Sequence, residues 1–252
     1  MNDPHSNIRQ YLNTLKLGEI DRNLDAVMAR ALTDKLPTST VLELLFSCEA
    51  SALIERRIER RIKESKLPER KLLADFDFTF QTGIDKQQIM ELSSLTFVAK
   101  KQGIILAGSS GTGKSHLSKA LLLIGCQKMY RCRYTTAADM LKTLMSGLPD
   151  GTLDQKLKIY TRPEILLIDE VGFDRLEQES TRHASLFFKV IDARYGKSST
   201  LMTTNVDFKE LGDYLGDPVI TTAIVDRMVH RSIIITVDGP SWRMHCSKEI
   251  NS

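Results

Sequence analysis

Residues 103–119 read GIILAGSSGTGKSHLSK. Gly108, Ser109, Ser110, Gly111, Thr112, Gly113, Lys114 and Ser115 match the phosphate-loop pattern G-x-x-x-x-G-K-[ST] at every fixed position. The flanks agree. Ile104, Ile105, Leu106 and Ala107 form a short apolar run that reads as a buried strand, and Leu117, Ala120, Leu121 and Ile124 are spaced as one face of a helix. A strand, a glycine turn and a helix start direct successive backbone N–H groups at one point. That point lies at the positive end of the helix dipole, where polyphosphate is stabilised. Lys114 adds a cation for β- and γ-phosphates, and Ser115 a hydroxyl ligand for Mg²⁺.

A second signature follows about fifty residues on, at Ile165-Leu-Leu-Ile-Asp169-Glu170. Four aliphatics in a row suit a central parallel strand buried on both faces. The carboxylates at its C-terminal end then fall where open α/β sheets bind ligands. Asp169 is suited to hold Mg²⁺ through a water, and Glu170 to orient or deprotonate an attacking water. A third apolar run, Thr200–Thr204, ends in Asn205, whose amide either contacts a γ-phosphate or simply opens a loop.

Between these runs the pattern alternates. Strands are expected at 130–135 and 233–237, and helices at 136–145, 153–160, 181–195 and 219–229, giving a parallel sheet covered on both sides. Lys86 to Ala99 carries helical spacing. Phe76, Phe78 and Phe80 alternate with polar residues, as in a short strand or an extended wrap. Residues 1–69 read as all-helical and form a separate small domain closed by Pro68. Its first helix is expected to stop at Gly18, its second before Pro37, and its third to be capped by Thr40. Residues 70–252 form the nucleotide domain.

From Glu55 to Lys71 the chain has eight basic residues against four acidic ones. The run is either a solvated helix of Glu–Arg pairs or a phosphate-tracking arm for nucleic acid. On the second reading Arg56, Arg57, Arg60, Arg61 and Lys63 are DNA contacts, with Lys142, Lys156, Lys158, Arg175 and Arg182 as further candidates. Composition excludes other classes. With 42% hydrophobic residues a core is available, and a net charge of +3 says little about partners. Cys48, Cys126, Cys132 and Cys246 show neither zinc nor disulfide spacing. A polar N-terminus and the lack of a long apolar run point to a cytoplasmic protein with no membrane contact.

In this order, the phosphate loop, Asp169-Glu170, Thr203-Thr204-Asn205 and Asp226-Arg227 resemble an AAA+ ATPase of the initiator and helicase-loader branch. The helical start, Asp75-Phe76-Asp77-Phe78, Arg194-Tyr195 and Ser241-Trp242-Arg243 narrow the resemblance to the IstB-type transposition helper ATPases, relatives of the loader DnaC. The resemblance implies an AAA+ fold with a five-stranded parallel sheet. It implies ATP with Mg²⁺, Asn205 as first sensor, and Arg227 as an arginine finger acting on a neighbouring subunit, with Arg231 as a rival. It implies assembly on duplex DNA, in a ring or open spiral, and a cognate transposase as client, or else a replicative helicase. Fifteen residues follow the last strand, too few for the helical lid many AAA+ proteins carry. A small-molecule kinase or GTPase is the remaining reading. Glu170 argues for hydrolysis over transfer, and no N-K-x-D guanine reader stands near Asn205.

Overall fold

The computed structural model describes residues 5–172, 180–206 and 217–245. The chain divides into two compact units, Met1–Arg60 and Arg61–Ser252.

The first unit holds helices α1 (Ser6–Leu15) and α2 (Gly18–Thr33) and most of α3 (Thr38–Ser65). Its core is small: Leu12, Ile20, Leu24 and Leu45, with Leu17, Val27, Met28 and Val41 packed around them. α1 stops earlier than expected. Lys16 takes the left-handed conformation, and Leu17 N–H returns to the Leu12 carbonyl at 2.9 Å. Gly18 instead opens α2, where no side chain of its own caps the helix. The cap comes from α3. The buried Glu49 carboxylate accepts from Glu19 N–H at 2.7 Å and Ile20 N–H at 3.3 Å, placing negative charge at a helix N-terminus. α3 likewise begins at Thr38, ahead of Thr40.

The second unit is built on a five-stranded, all-parallel sheet: β1 (Gly103–Ala107), β2 (Cys132–Thr136), β3 (Ile165–Val171), β4 (Ser199–Thr204) and β5 (Ser232–Thr236), in the order β2-β3-β4-β1-β5. Its helices among the described residues are α4 (Lys86–Leu92), α5 (Thr96–Ala99), α6 (Lys114–Gln127), α7 (Ala137–Met145), α8 (Leu153–Thr161), α9 (Ser180–Arg194) and α10 (Pro218–His230). Strand residues of one parity, Ile105, Leu166, Ile168 and Met202, join a core with Leu141, Phe187, Val190 and Ile224 of α7, α9 and α10. The opposite face carries α6, where a Cβ on Gly125 would lie 2.8 Å from the Ile165 side chain. Burial on both faces is why these strands are continuous aliphatic runs.

Arg194 fixes the strand starts. Fully buried, it donates to the carbonyls of Tyr160, Pro163 and Ser199 and to Thr200 Oγ1, tying the end of α8 to the beginnings of β3 and β4.

Two expectations are corrected. The Phe76–Phe80 segment is no strand: a 3₁₀ turn at Leu73–Asp75 is followed by a turn that Asp77 organises, accepting from Thr79 N–H at 2.8 Å and Phe80 N–H at 3.0 Å. A side chain that captures neighbouring N–H groups competes with extended structure. The periodic stretch 86–99 is two helices. Ser93 and Ser94 bond back to Met90 and Glu91 carbonyls, and Leu95 turns left-handed between them. Beyond β5, a helical turn at residues 242–245 is the last described structure, and no lid follows among the described residues. No helix among the described residues is long and apolar enough to cross a membrane.

Candidate functional site: a phosphate loop, an acidic strand end and a C-terminal flap

The phosphate loop leaves β1 at the C-terminal edge of the sheet and enters α6 through Gly113, whose φ is +94°. A Cβ there would sit 2.5 Å from the Phe76 ring, and one on Gly108, at φ +143°, would sit 2.3 Å from the Val237 carbonyl oxygen. Both positions combine a left-handed backbone with no room for a side chain, so glycine is required twice over. Ser110, Gly111, Thr112, Gly113, Lys114 and Ser115 line a cavity of about 560 Å³, together with Glu170 and Asn205. Gly108 and Ser109 stand behind it, their carbonyls accepting from Lys114 Nζ at 2.7 and 2.6 Å. Burial pushes the Lys114 ammonium below its ordinary value, Asp169 opposes that, and Arg243 adds to it.

Asp169 and Glu170 are neighbours in sequence that face different surroundings. Asp169 is 1% exposed and saturated with donors: Ser115 Oγ at 2.8 Å, the Thr203 hydroxyl, and Tyr134 OH at 3.3 Å. Lys119 Nζ lies 3.8 Å away and also holds Glu69 at 3.1 Å. Burial first, and then the Asp169 charge, push the Tyr134 hydroxyl upward, so it remains a donor across neutral pH. Glu170 has φ +61°, and the β3–β4 register shifts between Ile168 and Val171. That bulge turns the Glu170 side chain out into the cavity. A non-glycine residue held there costs about 1–2 kcal/mol. Strain of this kind gathers at functional sites.

The residues present suit a triphosphate and one hard cation. The hydroxyl of Ser115 and the carboxylate of Asp169 already touch, and Mg²⁺ takes one or two protein oxygens while keeping waters and phosphate oxygens. No cluster of three or more His, Cys, Asp or Glu that could hold a metal by itself exists among the described residues.

Three parts of the site had no role assigned from sequence. Thr203 buttresses the acidic pair. Gln81, 3% exposed, donates from Nε2 to the Thr112 carbonyl at 2.8 Å, joining the lead-in to the loop. The chain after β5 folds over the loop as a flap: Val237 N–H bonds Ala107 O at 2.7 Å and Trp242 N–H bonds Gly111 O at 3.0 Å. The flap brings Trp242 and Arg243 to the cavity. Phe80 lies edge-to-face on Trp242 at 4.9 Å and stacks on His245 at 4.8 Å. The motif Ser241-Trp242-Arg243 was the only signal for this flap in the sequence.

Arg227 is elsewhere. Its guanidinium bonds Asp192 at 2.8 Å and lies 4.7 Å over the Phe188 ring, and it lines no part of the cavity at the phosphate loop. Arg231 lies 5.8 Å over the Tyr195 ring. Among the candidate DNA contacts, Arg56 braces Glu49 at 3.0 Å, and Lys156 is tied to Ser146 and Asp150. Arg57, Lys63, Lys142 and Arg182 are exposed; Arg60 is exposed as well. Arg61 and Lys158 border a common cleft. Arg175 lies outside the described residues, as does Cys246.

This chain is 33% identical to an ATP-binding protein of insertion sequence IS232 from Bacillus thuringiensis subsp. berliner, over 99% of each chain. It is 34% identical to one of insertion sequence IS5376 from Geobacillus stearothermophilus, over 94% of this chain and 93% of the relative. Among solved structures, the DnaC helicase loader superposes with TM-score 0.51 at 22% identity, covering 60% of this chain and 87% of DnaC. DnaI superposes with TM-score 0.54 at 22% identity, covering 68% of this chain and 90% of DnaI. At that identity the structural likeness speaks for the fold, an AAA+ phosphate-loop architecture. The family model described as IstB-like ATP binding protein matches residues 10–250, and the chain belongs to that family.

Proposed function

We propose that this protein is an ATPase that assembles head-to-tail on duplex DNA and helps the transposase of its insertion sequence, with hydrolysis resetting the assembly. The carrying observation is the division of the site. Ser110 to Ser115 of the loop, Glu170 and Asn205 share one cavity, while Arg227, paired to Asp192, lines no part of it.

The loop N–H groups and Lys114 bind the triphosphate, and Lys114 exchanges its two loop carbonyls for phosphate oxygens. Ser115, and Asp169 through a water, would hold Mg²⁺, which would supply charge neutralisation to the triphosphate. Glu170 orients the attacking water and takes its proton, and Asn205 fixes that water or the γ-phosphate. Arg227 of the next subunit neutralises charge developing in transfer, worth about 10³–10⁵ in rate in comparable sites. A contact of this kind joins unlike surfaces, so it propagates as a ring or an open spiral. The transposase is preferred over a helicase as client because whole-length likeness is to insertion-sequence proteins, whereas the likeness to loaders is one of fold.

The test is ATPase rate with and without duplex DNA, for the parent and for Glu170→Gln, with light scattering on the same samples. We expect DNA to stimulate the parent, and the variant to bind ATP and accumulate as an oligomer with little turnover. A parent that stays monomeric with ATP and DNA, and whose rate ignores DNA, overturns the proposal.

A further inference from the structure

The strands have two ends. Their C-terminal end carries the nucleotide cavity. At the opposite end of the strands, where β2 and β3 begin, Arg61, Arg131, Lys158 and Arg162 border a cleft of about 230 Å³, with Glu64 as its one acidic residue and Cys132, Ile159 and Pro163 as its walls. These cations come from three separate segments: the last turns of α3, the residue before β2, and the end of α8.

A single basic residue at a helix C-terminus is explained by the helix dipole. Four around one cleft exceed that need. Their counter-charges are few. Arg131 meets Glu164 at 3.5 Å, Arg61 meets Glu64 at 3.6 Å, and Lys158 and Arg162 have no ion-pair partner among the described residues. Both are exposed, as is Arg131. Exposed charges hold a single small anion weakly, because water and salt screen each pair. A polyanion is different: each phosphate it neutralises releases condensed counterions, and guanidinium forks match phosphate oxygens in pairs.

We propose that this cleft seats the phosphate backbone of duplex DNA, with Lys158 and Arg162 as its principal contacts. The inference rests on the DNA-binding reading above and locates the contact, away from the nucleotide cavity and independent of base sequence. Contacts to phosphate position DNA without reading its sequence.

The experiment is fluorescence anisotropy of a labelled duplex with the full chain and ATP, titrated against salt. The protein is the parent, Lys158→Gln/Arg162→Gln, or the charge-matched control Lys86→Gln/Lys100→Gln, neither residue of which lines the cleft. Arg162→Gln alone, at an exposed helix end, is the fallback should the double variant melt early. We expect the double variant to reduce the slope of log affinity against log salt by about 2 and to weaken binding on the order of tenfold at roughly 0.1 M salt. The single variant is expected to lose about half as much slope, and the control to follow the parent. A parent that binds DNA while cleft variants bind equally well overturns the cleft and leaves the DNA reading standing. An equal loss in the control also overturns the cleft, because net charge alone then explains it. A parent that ignores duplex DNA at every salt overturns both.

Discussion

The Thr203 hydroxyl donates to Oδ1 of Asp169 and, through the same oxygen, accepts the backbone N–H of Glu170 at 3.0 Å. One side chain on β4 therefore sets both halves of the acidic pair on β3. It holds the Asp169 carboxylate toward Ser115 and braces the left-handed turn that sends Glu170 into the cavity. Thr203→Val keeps the shape and removes both bonds. A bond to a charged group is worth about 1.5–3 kcal/mol. We expect kcat to fall about ten- to a hundredfold while ATP affinity changes little, read from steady-state kinetics beside equilibrium nucleotide binding.

Lys114 should give the site a pH signature of two opposed trends. Burial lowers its folded pKa beneath the ordinary 10.5. ATP needs the charged form, so affinity should fall as pH rises through that lowered value, sooner than for an ordinary lysine. Apo stability should move the other way. Below the folded value, both folded and unfolded chains carry the proton and the full cost of burying the charge is felt. Between the folded value and 10.5 the unfolded chain binds more protons, so stability rises with pH until the cost is gone. Lys114→Arg should abolish both trends, measured by nucleotide titration and by thermal melting across pH.

Arg227 and Glu170 belong to different subunits of one working site on the proposed reading. Arg227→Ala should lower turnover by about 10³ or more and spare ATP binding. Glu170→Gln should lower it by about 10²–10⁴. Mixed together, the two inactive variants create some interfaces with both groups intact. Part of the activity should return in the mixture, peaking near equal amounts. Activity that stays at background at every ratio would place Arg227 outside the reaction.

Trp242 is the single tryptophan of the chain and lines the phosphate cavity on the flap, 45% exposed. Its emission should shift toward the blue and gain protection from acrylamide when ATP fills the cavity. Lys114→Ala should show neither change. Gln81→Ala loosens the lead-in from Thr112 and should reduce the amplitude while leaving fluorescence in the apo protein near the parent's.

Features that depend only on neighbours along the chain are legible in the residues themselves. A phosphate loop is a local backbone path, so Gly108 to Ser115 announce it, and the aliphatic run ending in Asp169-Glu170 announces a buried strand with carboxylates at its tip. Alternating periods announced a parallel sheet between helices. Local patterns failed where one side chain redirects the backbone. Asp77 folds an alternating aromatic segment into a turn, and Lys16 ends a helix that Gly18 was expected to end. Tertiary structure alone decided contacts between residues thirty or more apart: Thr203 with Asp169, Arg194 with Tyr160, and Gln81 with Thr112. It also decided that Trp242 and Arg243 return to the loop, and that Arg61, Arg131, Lys158 and Arg162 converge. The reason is physical: the order β2-β3-β4-β1-β5 is selected by packing of whole elements, and no short segment carries it.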